Sequence, residues 1–283
     1  MPLSSEIQRI SICVGICVAL LSMSLESRPR RTAAQATATL EIIVSNTNDS
    51  GAGSFRNAVA QANASPGLDL IKFSIGTGVQ RILIGPLGRI EITDSVEIDG
   101  ASQPGSGTSP RIELSKNYVA ADGGGTIRLM AGSCRIHGLR FVNFIQSSPD
   151  LYVIALEVQS DNNLIYGNVF GSEQGLDEPN DTAVEVTGNN NTIGGDGASD
   201  TNIFRKNYRG IHLSATNRNT IKGNLIVQNN LGLTDPGSFY SAGITTANDN
   251  GPQSNDGLQI VGNVISGAGD EGYGIKLSGT TNA

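Results

Sequence analysis

The sequence predicts an all-β protein, a right-handed parallel β-helix (a solenoid) with one short N-terminal capping helix. Three observations carry that prediction. An apolar-x-apolar pair recurs at Ile127/Leu129, Leu156/Val158, Val184/Val186 and Ile211/Leu213, then at Ile244 (partner Thr246) and Ile275/Leu277, every 27 to 33 residues. Each pair is followed, after a polar turn, by a second apolar run, of which "NLIYGNVF", "NTIKGNLIV" and "LQIVGNVI" share an Ile-x-Gly-Asn-apolar phrase. The 283 residues hold 36 Gly, no Trp and 5% aromatics, so the core must come from short runs of Ile, Val and Leu between frequent turns. A repeat of this length with two or three short strands and no helix cannot bury its apolar face alone. Stacked coils can, because each inward residue lies on its counterpart about 4.8 Å away. Winding in one direction makes neighbouring strands parallel, and chain sterics favour a right-handed coil.

The elements follow in order. Residues 1–36 read as an export signal: Arg9 precedes the uncharged run "ISICVGICVALLSMSL", which at 16 residues is short for a membrane span, and "AQA" (34–36) suits cleavage. The basic "RPRR" (28–31) leaves an uncleaved anchor as the alternative. Residues 37–125 form the cap and first coils. Leu40–Val44 is a strand, and "NTNDSGAG" is a turn cluster. Ser54 caps a helix whose Phe55, Ala58, Val59 and Ala62 share one face and which stops at Pro66-Gly67. Strands follow at 70–75, 81–84, 90–92, 96–98 and 111–114, with "DGASQPGSGTSP" (99–110) as a long excursion. Residues 126–283 are the repeats, whose second strands are placed at 135–139, 164–170, 192–194, 220–227 and 258–265. The last coil opens at "GIKLSGTTNA" with no cap after it, which suggests continuation in a longer chain or end-to-end self-association.

"VSNTNDSGAGSFRNAVAQANASPGLDLIKFSI", "EIDGASQPGSGTSPRIEL" and "NNNTIGGDGASDTNIFRKN" resemble segments of bacterial secreted right-handed parallel β-helix repeat proteins, and the repeats resemble the wider carbohydrate-binding and sugar-hydrolase β-helix class. The resemblance covers most of residues 40–283. It implies an exported, secreted or cell-surface protein with a strand–helix–strand cap and many coils, and it assigns no activity by itself.

Against that frame the chemistry-bearing residues are few. Asn168, Asn224 and Asn263 in the repeated phrase read as an amide ladder at a turn, because a site is local and this feature repeats. Cys134, the one cysteine beyond the signal, forms no intramolecular disulfide and reads as a small buried hydrophobe. Asp181, His212 and Lys276 are the catalytic candidates, since sugar hydrolases on this fold pair aspartates with a His and a cation. The match lacks the second Asp and an Arg beside Lys276. With Ile211 and Leu213 inward, His212 is expected outward and solvated, and His137 likewise. Arg205, Lys206 and Arg209, with Arg218 and Lys222, form a basic group suited to an anionic sugar. Asp249, Asp270 and Glu271, in acidic loops, are the candidates for Ca²⁺, although none has a full ligand spacing and no cofactor is expected otherwise.

With 16% charged residues and a formal net charge of −7, bulk electrostatics favour neither nucleic acid nor anionic lipid, and no membrane contact is expected beyond the signal. The sequence reading is an exported non-catalytic scaffold or adhesin-like protein contacting polysaccharide or a cell-surface partner. The alternative is a polysaccharide lyase or glycoside hydrolase. Function is expected where the repeat is broken, in the loops at 172–181 and 234–257.

Overall fold

A computed structural model of the chain describes residues 39–85, 87–105, 107, 110–116, 127–145, 153–172, 177–229, 242–246, 255–267 and 273–277. The signal segment and the Ca²⁺ candidates Asp249, Asp270 and Glu271 lie outside these residues. Most of the 234–257 loop does too.

The described residues form a parallel β-solenoid of three sheets, with eight, seven and seven strands. Successive strands of one sheet come from successive coils, and every pairing is parallel. Each sheet points one in-register row of apolar side chains at the core. In the first the row runs Ile42, Ile71, Ile98, Ile136, Ile165, Ile193, Ile221, Ile260. In the second it runs Ile82, Leu114, Phe141, Phe170, Phe204, Ile226, Ile265. In the third it is Ile90, Ile127, Leu156, Val184, Ile211, Ile244, Ile275, so the first members of the recurring pairs are one ladder. Phe141, Phe170 and Phe204 stack face to face at 4.7 and 4.8 Å, the spacing of the strands that carry them.

The helix spans Phe55–Asn63. Ser54 is its N-cap, with Oγ accepting from the Asn57 amide at 3.2 Å. Its buried residues are Phe55, Ala58, Val59 and Ala62, and it packs on the strands Glu41–Val44, Asp69–Phe73 and Ile90–Ile92 where the stack begins. Among the described residues no helix is long and apolar enough to cross a membrane.

The corners differ from the sequence reading. The runs taken as single strands at 164–170, 220–227 and 258–265 are each two strands in two sheets, such as Leu164–Tyr166 and Val169–Gly171. The bend is a residue in the left-handed region followed by an asparagine, buried at Gly167-Asn168 and Gly223-Asn224 and partly exposed at Gly262-Asn263. Consequently Ile226, at 1% exposure, is the inward residue beyond Asn224, and Leu225 faces outward. The same device works without glycine at Asn162-Asn163, Asn190-Asn191, Lys206-Asn207, Arg218-Asn219 and Gln228-Asn229.

Three amide ladders result, one per corner. Asn168, Asn202, Asn224 and Asn263 donate rung to rung at 2.9 to 3.2 Å. Asn163 donates to Asn191 at 2.9 Å, and the Asn191 amide donates to Asn219 at 2.7 Å. Asn180, Asn207 and Asn229 form the third, at 2.8 and 2.9 Å. These side chains satisfy backbone groups that the corner takes out of the sheets. Cys134 starts one ladder position, fully buried, and burial pushes its thiol up to about 11.

The described ends of the 172–181 excursion are tied down at the second sheet. Ser172 Oγ accepts from the Glu178 amide at 2.7 Å, and the Glu178 carboxylate bridges Arg81 (2.6 Å) and Arg140 (2.7 Å). Both arginines also hold Glu113, and Arg140 is only 2% exposed. At the far end of the described stack, Val261, Val264, Tyr273, Ile275 and Leu277 are exposed.

Candidate functional site

The outer face of the first sheet carries, in register, Lys72, Asp99, His137, Tyr166, Gly194, Lys222 and Val261. Each precedes the corner that leads to the second sheet. At two adjacent coils that corner is tight: Gly138 alone, then Gly167-Asn168. On either side lies an excursion, residues 100–111 before and 195–202 after. Both lean onto the glycine corners. A Cβ on Gly138 would come 2.4 Å from the Ala101 nitrogen, and one on Gly167 would come 2.6 Å from the Ser199 oxygen. With φ of 70° and 61°, these two positions need glycine for conformation as well as space.

Between the excursions is a half-open groove of about 430 Å³. Its floor is His137, Gly138, Tyr166 and Gly167, and its walls are Ala101, Gly107, Pro110 and Arg111 on one side and Ser199 on the other. The first wall is braced. Arg111 donates from Nε, Nη1 and Nη2 to the carbonyls of Gln103, Gly107 and Ala101 at 2.7, 3.3 and 3.0 Å. Buried Gln103 is itself locked to both backbone groups of Ile75. In the second wall Asp200 Oδ2 accepts from the Gly197 amide at 2.9 Å.

The His137 and Tyr166 rings stack at 4.7 Å and 17° on the groove floor. His137 Nε2 lies 3.3 Å from Glu97 and Nδ1 lies 3.6 Å from Asp99, so the expected solvated His is half-buried with a carboxylate beside each nitrogen. Glu97 is shared with Arg135 at 3.2 Å. Burial, and then the Glu97 charge, pushes the Tyr166 phenol above its ordinary value.

The outer row of the third sheet holds the other constellation: Glu91, Arg128, Glu157, Glu185, His212, Thr245 and Lys276, one per coil. Arg128 bridges Glu91 at 3.5 Å and Glu157 at 2.9 Å. Glu185 faces His212 Nδ1 at 3.7 Å. Burial pushes the Glu185 carboxyl up, Arg209 opposes the shift and Glu157 adds to it.

The catalytic candidates separate accordingly. His212 and Lys276 share this row with Thr245 between them. His212 points away from the core as alternation requires, yet it is 6% exposed, which corrects the expectation of a solvated ring. Alternation sets a side chain's direction and is blind to what packs over it. Lys276 Nζ sits 4.9 Å over the Tyr273 ring. Asp181 is buried and serves the backbone, accepting from the Val153 amide through Oδ2 at 3.2 Å and from the Arg209 amide through its carbonyl at 2.8 Å.

The basic group is dispersed: Arg205 ends a second-sheet strand, Lys206 is a left-handed corner, Arg209 opens a third-sheet strand, Arg218 donates to Asn190 and Lys222 pairs with Asp196. Among the described residues no group of three His, Cys, Asp or Glu is placed to hold a metal ion.

Sequence reasoning missed Tyr166 and Arg111 in the groove, Glu97 and Asp99 beside its His137, and Glu157 and Glu185 in the row. The row was readable as the middle letter of each apolar-x-apolar pair. The groove needed the register of two excursions across four coils.

No protein-family description matches the chain, and no curated protein does. A solved structure, that of rice weevil pectin methyl esterase, is similar at 13% identity over 87% of this chain and 90% of that one, with a TM-score of 0.32. A likeness this distant bears on neither site nor chemistry.

Proposed function

We propose that this chain is an exported β-helix that binds a glycan, without cleaving it, in the groove between the two excursions. The observation that carries the reading is the stacked His137–Tyr166 pair on a groove floor whose walls are braced from within. A flat aromatic surface beside fixed polar groups suits the mixed apolar and hydroxyl faces of a sugar ring. The volume is on the order of what a disaccharide fills, at the small end of ligand pockets. His137 supports binding over catalysis, because a carboxylate flanks each ring nitrogen and Tyr166 covers a face. The N-terminal apolar run with Arg9 before it supports export to the cell surface or medium.

The test is calorimetric titration of the purified chain against a panel of soluble oligosaccharides, repeated with Tyr166→Ala. Loss of a stacking platform is expected to weaken binding about tenfold or more. Binding that survives Tyr166→Ala unchanged refutes the groove as the site.

A second reading, a glycan-cleaving enzyme, rests on Glu157, Glu185 and His212 on consecutive rungs, with Glu185 biased toward its protonated, acid-competent form. Release of reducing ends that disappears in both Glu185→Gln and His212→Ala would replace the binding reading with this one.

A further inference from the structure

The charges around the groove narrow the ligand class, an inference that rests on the glycan-binding reading. The groups acting on Tyr166 are Glu97, Asp99 and Asp200 on the negative side and Arg135 on the positive. Arg135 is already paired with Glu97. The other nearby cation, Arg111, directs all three of its nitrogens at wall carbonyls, so its planar fork is turned to the excursion. Asp99 and Asp200 keep their carboxylates on backbone amides, which hold the charge without cancelling it. A uronate stacked on Tyr166 would lie in the field of three carboxylates just outside the groove lining, with both guanidiniums engaged. Of the basic group that an anionic sugar would need, Arg205 is on the second sheet, Arg209 is on the third, and Lys222, two coils on in the Tyr166 row, is paired with Asp196.

We infer that the groove selects glycans without carboxylates, neutral or amine-bearing, and rejects polyuronates. Tyr166 supplies the stacking surface, while Glu97 and Asp99, held against the His137 ring on the groove floor, supply negative charge beside it. The inference runs against the basic-group expectation from the sequence, and it can fail while glycan binding itself stands.

The experiment uses the full chain and three oligosaccharides of equal length: a neutral glucan, a de-N-acetylated glucosamine oligomer and an oligogalacturonate. The first two are expected to bind at least about tenfold more tightly than the third at low salt, with the gap shrinking as salt rises. Glu97→Gln combined with Asp99→Asn should narrow the gap while the neutral glucan still binds. Asn keeps the oxygen that accepts from Ser102, so the wall is preserved. Oligogalacturonate binding as tightly as the neutral glucan, with Tyr166→Ala weakening both, overturns the charge inference and leaves the groove reading intact. Binding of none of the three overturns both.

Discussion

The amide ladders make the sharpest quantitative prediction, at Asn207. Its side chain is fully buried. Oδ1 accepts from the Asn180 side-chain amide at 2.8 Å and from the Asn180 backbone amide at 3.3 Å. Nδ2 donates to the Phe170 carbonyl at 3.0 Å and to Asn229 Oδ1 at 2.9 Å. Asn207→Ala removes four bonds and leaves two donors and two acceptors short of a partner in a dry corner. Each orphaned group costs about 1–3 kcal/mol, and partial relaxation brings the total to about 3–5 kcal/mol. Asn263→Ala is the control. It removes three bonds of the same kind, but on a rung that is partly exposed, where water replaces them, so it should cost about 1 kcal/mol.

Urea unfolding followed by circular dichroism reads both values. Hydrogen exchange at the Asn180 amide reads the local effect, which matters because solenoids can open coil by coil. Asn207→Asp sharpens the test. A carboxylate oxygen would then face the Phe170 carbonyl and Asn229 Oδ1, so the acid is held protonated in the fold. Its folded pKa is raised, and that variant should lose stability as pH rises through the carboxylate range. A loss below about 1 kcal/mol for Asn207→Ala, or one no larger than that of Asn263→Ala, refutes the claim that the ladder holds the corner.

Two further outcomes follow from the charged rows. Arg140→Ala leaves Glu113 and Glu178 facing each other with only half-exposed Arg81 between them, and should cost about 3–5 kcal/mol in urea unfolding; a loss like that of a surface pair, under about 1 kcal/mol, refutes a buried clamp. Glu185 is raised by burial, so the folded chain keeps a proton that the unfolded chain releases, and stability falls as pH rises through the ordinary carboxylate value toward the folded one. Glu185→Gln escapes that fall. Its melting temperature should gain on the native chain between about pH 3.5 and pH 7, and an unchanged difference across that span refutes the shift.

How much of this was legible depends on the kind of signal. The inward ladder Ile127, Leu156, Val184, Ile211 was readable because apolar-x-apolar has a fixed period and each letter has one direction. The helix was readable from Ser54 and its single apolar face. The corners were half readable. Glycine marks a left-handed residue, so Gly167-Asn168 and Gly223-Asn224 stood out, whereas Lys206-Asn207 and Gln228-Asn229 use ordinary residues in the same conformation and look like polar loop. The burial of His212 was not readable, because it depends on what covers the outer face. Nor was the salt-bridged core of Arg81, Glu113, Arg140 and Glu178, since Glu178 reaches it from an excursion 38 residues beyond Arg140.

The repeated phrase Ile-x-Gly now has a division of labour. Its Ile is a core rung and its Gly is a corner, so both are spent on the fold. The letter between them faces outward and is free of that duty except at Gly194, whose φ of 94° and contact with the Lys222 carbonyl require glycine. Along the stack it reads Asp99, His137, Tyr166, Gly194, Lys222 and Val261. A ligand site therefore needs no change to the scaffold: it needs aromatic letters on neighbouring coils and excursions on the coils flanking them. His137 and Tyr166 meet the first condition, and residues 100–111 and 195–202 meet the second. Lys222 and Val261 share the same sheet face, but the corner after each is tight, so among the described residues only the 195–202 excursion, whose Asp196 pairs with Lys222, stands beside them. A transfer experiment is therefore decisive. Lys222→Tyr should leave stability nearly unchanged, because the side chain stands outside the core and its pair with Asp196 is exposed, and should create no second glycan site, because an excursion flanks it on one side only. A second binding event in titration would show that an aromatic beside one excursion suffices, and would remove the need for two walls from the account.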